Sequence, residues 1–183
     1  MTDRKSHVVL AEMTSAQVRA ELGRGRSTVV VPFGAVEPTS HLTPTLSSRI
    51  AWDLCSHSGS TACARRRYGS AALSTISPSR GTLSLRPQTL EMIVVDLVDS
   101  LVRHGFRRVV LLATHGGNES PLQAAGAASR RDGMSVVVPS LRLAVEDLLV
   151  VARARGVSPA EAGAHAGELE TSLMLAGPGS FGR

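Results

Sequence analysis

Aromatic residues are nearly missing from this sequence, which has three Phe, one Trp and one Tyr among 183 residues. A core without rings must be built from Val, Leu, Ile and Ala. That favours helices packed closely on a Val-rich sheet over an aromatic-rich sandwich. Cysteine is equally sparse. Cys55 and Cys63 have neither the paired spacing of a zinc site nor the density of a disulfide scaffold, and both read as plain thiols. No run approaches the roughly 18 consecutive apolar residues of a membrane span. The first ten residues hold an Arg-Lys pair but no apolar run of signal-peptide length before Glu12. Neither a membrane partner nor secretion is indicated, and a cytoplasmic location is the default expectation.

Acid is the scarcer charge, 15 Asp and Glu against 20 Lys and Arg, for a net charge of +5 and a pI near 10.5. The imbalance is local. Residues 38–80 hold five arginines (Arg49, Arg65, Arg66, Arg67 and Arg80) against the single acid Asp53, and the rest of the chain is nearly balanced. Arg65-Arg-Arg67 beside Tyr68 is the only basic cluster next to an aromatic. No stacking platform or recognition helix accompanies it, so no nucleic-acid partner is expected.

What is present is an alternation of helical and extended patterns. Thr14 with Gln17 three residues on reads as a capping box for a helix carrying Val18 and Leu22 and stopped at Gly23. Residues 27–33 form a continuous apolar run, a strand buried on both faces, and its far end delivers Glu37. Residues 38–80 show little periodicity, and the expectation there is one helix near 47–56 in otherwise irregular structure. A short alternating strand is expected at 81–85. Pro87 then opens a helix with Leu90, Ile93, Val94, Leu97 and Leu101 at helical spacing, closed by His104-Gly105. Residues 107–113 are a second buried strand running into His115-Gly-Gly-Asn118. A helix from about Asn118–Pro121 to near Gly133, a strand at 134–138, a helix at 141–154, a capping signature at Ser158–Glu161 and a helix from Glu168 to Ala176 complete the reading. Strands separated by single helices imply right-handed crossovers and a mainly parallel sheet.

In such sheets, polar groups collect in the loops beyond the carboxyl ends of the strands. Three clusters fall there: Glu37, His115-Gly-Gly-Asn118 and His165-Ala-Gly-Glu-Leu-Glu170. Each alone has an ordinary structural reading, as a turn carboxylate, a hydrogen-bonded loop histidine, and acids favouring the positive end of a helix. Carboxylates and imidazoles converging from separate loops are also what a divalent metal needs.

In their order, Val31-Pro-Phe-Gly-Ala-Val-Glu37, Gly81-Thr-Leu-Ser-Leu85, Arg103-His-Gly-Phe-Arg-Arg-Val-Val110, Thr114-His-Gly-Gly-Asn118 and His165-Ala-Gly-Glu-Leu-Glu-Thr-Ser172 resemble the creatininase (creatinine amidohydrolase) family. The match covers residues 28–37 and 81–176. The resemblance implies a single α/β domain over 1–183 with a three-layer α/β/α arrangement. It implies one or two divalent ions, zinc, manganese or iron, and a homo-oligomer, commonly a hexamer. It implies hydrolysis of a C–N amide bond in a small cyclic or peptide substrate. Creatinine, formamidopyrimidines of flavin biosynthesis and the mycofactocin precursor peptide are the family's examples. Carried onto this sequence, Glu37, His115 and Glu170 would be metal ligands, with Glu168 a nearby second candidate. His165 would shuttle a proton or hold the substrate, and Glu168 joins it as a catalytic candidate. The implied chemistry is metal-assisted: an ion acidifies a water that attacks the amide carbon, and an acid protonates the departing nitrogen. Backbone N–H groups of His115-Gly-Gly would face the developing oxyanion.

The resemblance breaks between 38 and 80. The family pattern reads Glu-Gln-His-Gly-Pro-His-Leu-Pro and then Thr-Asp. Here Thr39 stands at the place of the ligand His, and Ser47 or Ser48 at that of the bridging Asp. His41 aligns with the second, non-ligand His only if a one-residue gap is accepted. A neutral hydroxyl cannot replace a carboxylate that neutralises two cations, so one ion or none is expected. Two accounts stand open: a diverged relative, or a segment read in a shifted frame. The chain also ends soon after Leu175, earlier than the family usually runs. The competing function is a non-catalytic relative, a scaffold or subunit that has lost its dinuclear centre.

Overall fold

Val29, Val31 and Phe33 alternate with Val30 and Pro32, so a strand here can bury apolar groups on both faces. The protein uses it as the central strand of a five-stranded parallel sheet. The structure is a computed structural model and describes residues 8–10, 13–34, 62–63, 85–163, 167–168, 171–172 and 175. In chain order the elements are β1 (Val8–Val9), α1 (Ser15–Gly23), β2 (Thr28–Phe33), β3 (Ala62–Cys63), α2 (Pro87–Arg103), β4 (Arg108–Ala113), a 3-10 turn (Gly116–Asn118), α3 (Glu119–Ala128), β5 (Ser135–Val137), α4 (Leu141–Ala154) and α5 (Pro159–Ala162). Glu168, Thr171, Ser172 and Leu175 are helical beyond them.

The strand order is β1-β3-β2-β4-β5, and every described pair is parallel. β2 and β4 run in register from Thr28 beside Arg108 to Phe33 beside Ala113. Pro32 within an inner strand needs a reason, because it has no N–H for the ladder. Backbone groups of successive strand residues point to opposite sides. Phe33 turns its carbonyl to the β4 side, where Thr114 N–H donates to it at 3.0 Å. Pro32 therefore faces the β3 side, where the described pairing runs to Val30 with Cys63, and it removes no N–H from the β4 ladder.

One face of the sheet carries the main core: Val29, Val31, Phe33, Val109, Leu111 and Ala113 pack with Leu90, Val94 and Val98 of α2 and Leu122 and Ala125 of α3. Leu90, Val94 and Val98 repeat every four residues, and burying each contributes roughly 1.5–3 kcal/mol. Val30 with Val110 and Leu112 forms a smaller core on the opposite face. The sheet thus buries apolar groups on both sides, as an α/β fold with helical layers requires.

Most elements stand where periodicity places them. α1 has the full Thr14–Gln17 capping box, α2 begins at Pro87, and α4 spans Leu141–Ala154 as expected. Three readings change. Ala62–Cys63, expected to be irregular, is the strand between β1 and β2, so Cys63 belongs to the sheet. α3 ends at Ala128 instead of near Gly133, because Ser129 to Gly133 must turn the chain into β5, with Gly133 at φ 74°. Leu85 lies outside any strand, just ahead of α2, while 81–84 and the helix expected near 47–56 fall outside the described residues.

Candidate functional site

Parallel strands bring their carboxyl ends to the same side of a sheet, and the in-register pairing of β2 with β4 sets Gly34 and Thr114 side by side beyond it. The two exits are joined by side chains. Thr114 donates to the Phe33 carbonyl through its N–H at 3.0 Å and through Oγ1 at 3.2 Å. Asn118 Nδ2 donates to the same carbonyl at 3.3 Å and to that of Gly34 at 3.0 Å. Asn118 is completely buried.

His115 leaves β4 in extended conformation and is half-buried. Its carbonyl accepts the Asn118 N–H at 3.1 Å, which closes the 3-10 turn, and its Nδ1 accepts the Gly117 N–H at 3.2 Å. Of the N–H groups that His115-Gly-Gly is expected to offer to an oxyanion, that of Gly117 is engaged within the turn. The Gly117 N–H is taken by the imidazole and the Asn118 N–H by the carbonyl of His115.

Glu168 is half-buried at the start of the last described helical residues, and its Oε1 accepts the Ser172 hydroxyl at 2.8 Å. Its position depends on a close backbone approach. A Cβ on Gly167 would lie 2.3 Å from the carbonyl oxygen of Ala162 and 2.7 Å from Gly163 Cα. The motif glycine is therefore explained by contact with the end of α5. That end is held by a second capping box, Ser158 with Glu161. Hydrogen bonds from the Ser158 side chain and then its backbone hold the Glu161 carboxyl below its ordinary pKa.

Of the expected site residues, His115 and Glu168 are described, and Glu37, His165 and Glu170 lie outside the described residues, as do Thr39, His41, Ser47 and Ser48. Among the described residues no three His, Cys, Asp or Glu side chains gather closely enough to hold an ion. The expected donor set of Glu37, His115 and Glu170 suits zinc, manganese or iron in type, two carboxylates with one imidazole. Binding through His115 would displace the bond from Gly117. A neutral hydrogen bond contributes about 1 kcal/mol, against roughly 10 kcal/mol or more for zinc in a dedicated site. The ring therefore fits a ligand role. The sequence places Asn118 at a helix start and in the polar cluster His115-Gly-Gly-Asn118, without a role of its own. The signal for such a role is a short polar side chain three residues beyond the strand-end histidine, where an amide can reach back to a neighbouring strand.

A family model described as "Creatininase: Creatinine amidohydrolase" matches residues 11–178. Among solved structures, a manganese creatininase is 27% identical over 93% of this chain and 73% of its own, with a TM-score of 0.71. A mutant creatininase complexed with creatine is 28% identical over 93% and 73%, with a TM-score of 0.70. A mutant creatininase of Zn-Zn type is 27% identical over 93% and 72%, with a TM-score of 0.64. No curated protein matches the sequence. No helix among the described residues is long and apolar enough to cross a membrane.

Proposed function

The chain belongs to the creatininase (creatinine amidohydrolase) family, and from this we propose that it hydrolyses a C–N amide bond of a small cyclic or peptide substrate with the help of a divalent ion. The observation that carries the reading is His115, at the exit of β4 and tied through its turn to the exit of β2, three residues before Glu37. Manganese, zinc and creatine in the related structures support the chemistry.

Glu37, His115 and Glu170 would hold the ion. When bound, it lowers the pKa of water and polarises a carbonyl. The protein's own groups do the rest. Two carboxylates with one imidazole set the local charge, and the Ser172 hydroxyl orients the Glu168 carboxylate. His165 and Glu168 pass a proton to the departing nitrogen, which must leave as a neutral amine. Processing of the mycofactocin precursor peptide is one substrate assignment within this reading. A homo-oligomer, hexameric as in the family, is part of the same proposal. It is supported by the exposed apolar positions Leu143, Val150 and Val151 on α4.

Metal analysis of purified protein for zinc, iron and manganese, with assays on creatinine and on a peptide that would release a C-terminal dipeptide, tests the reading. At least one ion per chain with turnover of an amide is expected. No bound metal and no hydrolysis after reconstitution would overturn it in favour of the non-catalytic relative. That second reading draws on Thr39 and on Ser47 or Ser48, which stand where the family has His and Asp.

A further inference from the structure

The amide of Asn118 does more than satisfy a buried polar group. Its single nitrogen reaches two consecutive carbonyls, Phe33 and Gly34, across 85 and 84 residues of sequence. Two acceptors on one donor group fix both the distance and the angle between the turn and the strand end, which one bond would leave free to pivot. On the turn side, His115 is bound twice to the same three residues, by its carbonyl to Asn118 N–H and by Nδ1 to Gly117 N–H. Its backbone and its ring therefore move with Asn118. On the strand side, Gly34 is the last described residue before the segment carrying Glu37. Thr114 continues the sheet ladder to Phe33 through its N–H and its hydroxyl.

We propose that Asn118 is a positioning residue for the reaction: its buried amide holds the exit of β2, at the carbonyls of Phe33 and Gly34, against the turn carrying His115, and so fixes where the His115 ring is presented to an ion. The proposal rests on the metal-dependent reading above. The effect expected of such a support is a tenfold to hundredfold loss of metal affinity, typical for groups that orient ligands without touching the ion.

The test uses the full chain with zinc alone as the probe, in wild type, Asn118→Ala, Asn118→Asp and Val98→Ala. Asn118→Asp keeps the volume and removes the donor. Val98→Ala thins the core beside α2 without touching the site. Calorimetric titration should show zinc affinity reduced about tenfold to hundredfold in Asn118→Ala, and unchanged in Val98→Ala despite its lower melting temperature. Amide exchange should quicken in residues 29–34 and 114–118 of the Asn118 variants beyond any rise in α2. An Asn118→Ala affinity within twofold of wild type, or an equal loss in Val98→Ala, overturns the proposal. Should Asn118→Ala not fold, Asn118→Asp is read by the same criteria. Should wild type take up no zinc, the metal reading fails by itself and exchange decides the positioning role. A rise confined to the two segments supports it, and a uniform rise overturns it.

Discussion

The proton on the His115 ring reports directly on ion binding. In the neutral ring, with Nδ1 accepting from Gly117, the proton sits on Nε2. An ion at Nδ1 would displace the Gly117 bond, and an ion at Nε2 would move the proton to Nδ1. Either change shifts the ring nitrogens in long-range 15N NMR. The expected outcome is a zinc-dependent shift of the His115 ring signals. Signals that stay fixed at saturating zinc would remove His115 from the ligand set. Restoring the family residues, by Thr39→His with Ser47→Asp or Ser48→Asp, should raise metal content and turnover together, because a bridging carboxylate is what lets a second cation enter. Glu37, His165 and Glu170 lie outside the described residues, and of the rest the place of His115 at a strand exit and of Glu168 at a helix start was legible in the sequence. The role of Asn118 was not, because its partners lie 84 and 85 residues away.

Among the elements, close approach decides two glycines. In α3, a Cβ on Gly126 would meet Val138 Cγ2 at 3.0 Å and Val136 Cγ1 at 3.4 Å. Gly126→Ala gains about 1 kcal/mol of helix propensity. Pushing aside two stiff β-branched side chains, Val136 in β5 and Val138 just beyond it, costs roughly 1–3 kcal/mol. The expected result is a lower melting temperature, and a higher one would show that α3 moves away freely. Gly167→Ala should be worse, since the atoms met at 2.3 and 2.7 Å are backbone. Helix content by circular dichroism with zinc affinity checks whether Glu168 loses its place. At α5, the Glu161 carboxyl is held low by Ser158. The stabilisation is therefore complete above the ordinary carboxylate pKa and disappears as pH falls through the lowered one. In a carboxyl NMR titration, Ser158→Ala should return the Glu161 midpoint upward. Helices α2 and α4 were readable from apolar spacing alone. The end of α3 was not, because helix-forming Ala127 and Ala128 say nothing of the turn that β5 demands.

For the whole molecule, an ion that binds only the folded chain adds RT ln(1 + [L]/Kd). At a hundred times Kd this is about 2.7 kcal/mol. For a domain of this size, 1 kcal/mol moves the melting temperature by about 2–4 °C. Zinc or manganese should then raise it by roughly 5–10 °C, and no shift at saturating metal would count against a metal site linking the two strand exits. Resequencing the gene bears on residues 38–80. An unbroken frame there would leave divergence as the account of Thr39, Ser47 and Ser48 and of the local excess of arginine.

The sequence by itself determined the alternation of strands and helices, the caps at Thr14 and Ser158, the helix opening at Pro87 and the family motifs. Each of these depends on residues within a few positions of one another. Only the tertiary structure decided that Ala62–Cys63 enters the sheet between β1 and β2, that Pro32 turns away from the β4 ladder, and that Asn118 binds the exit of β2 to the turn of His115. Those outcomes depend on which distant backbone groups must find hydrogen-bond partners once they are buried, and local pattern carries no record of that pairing.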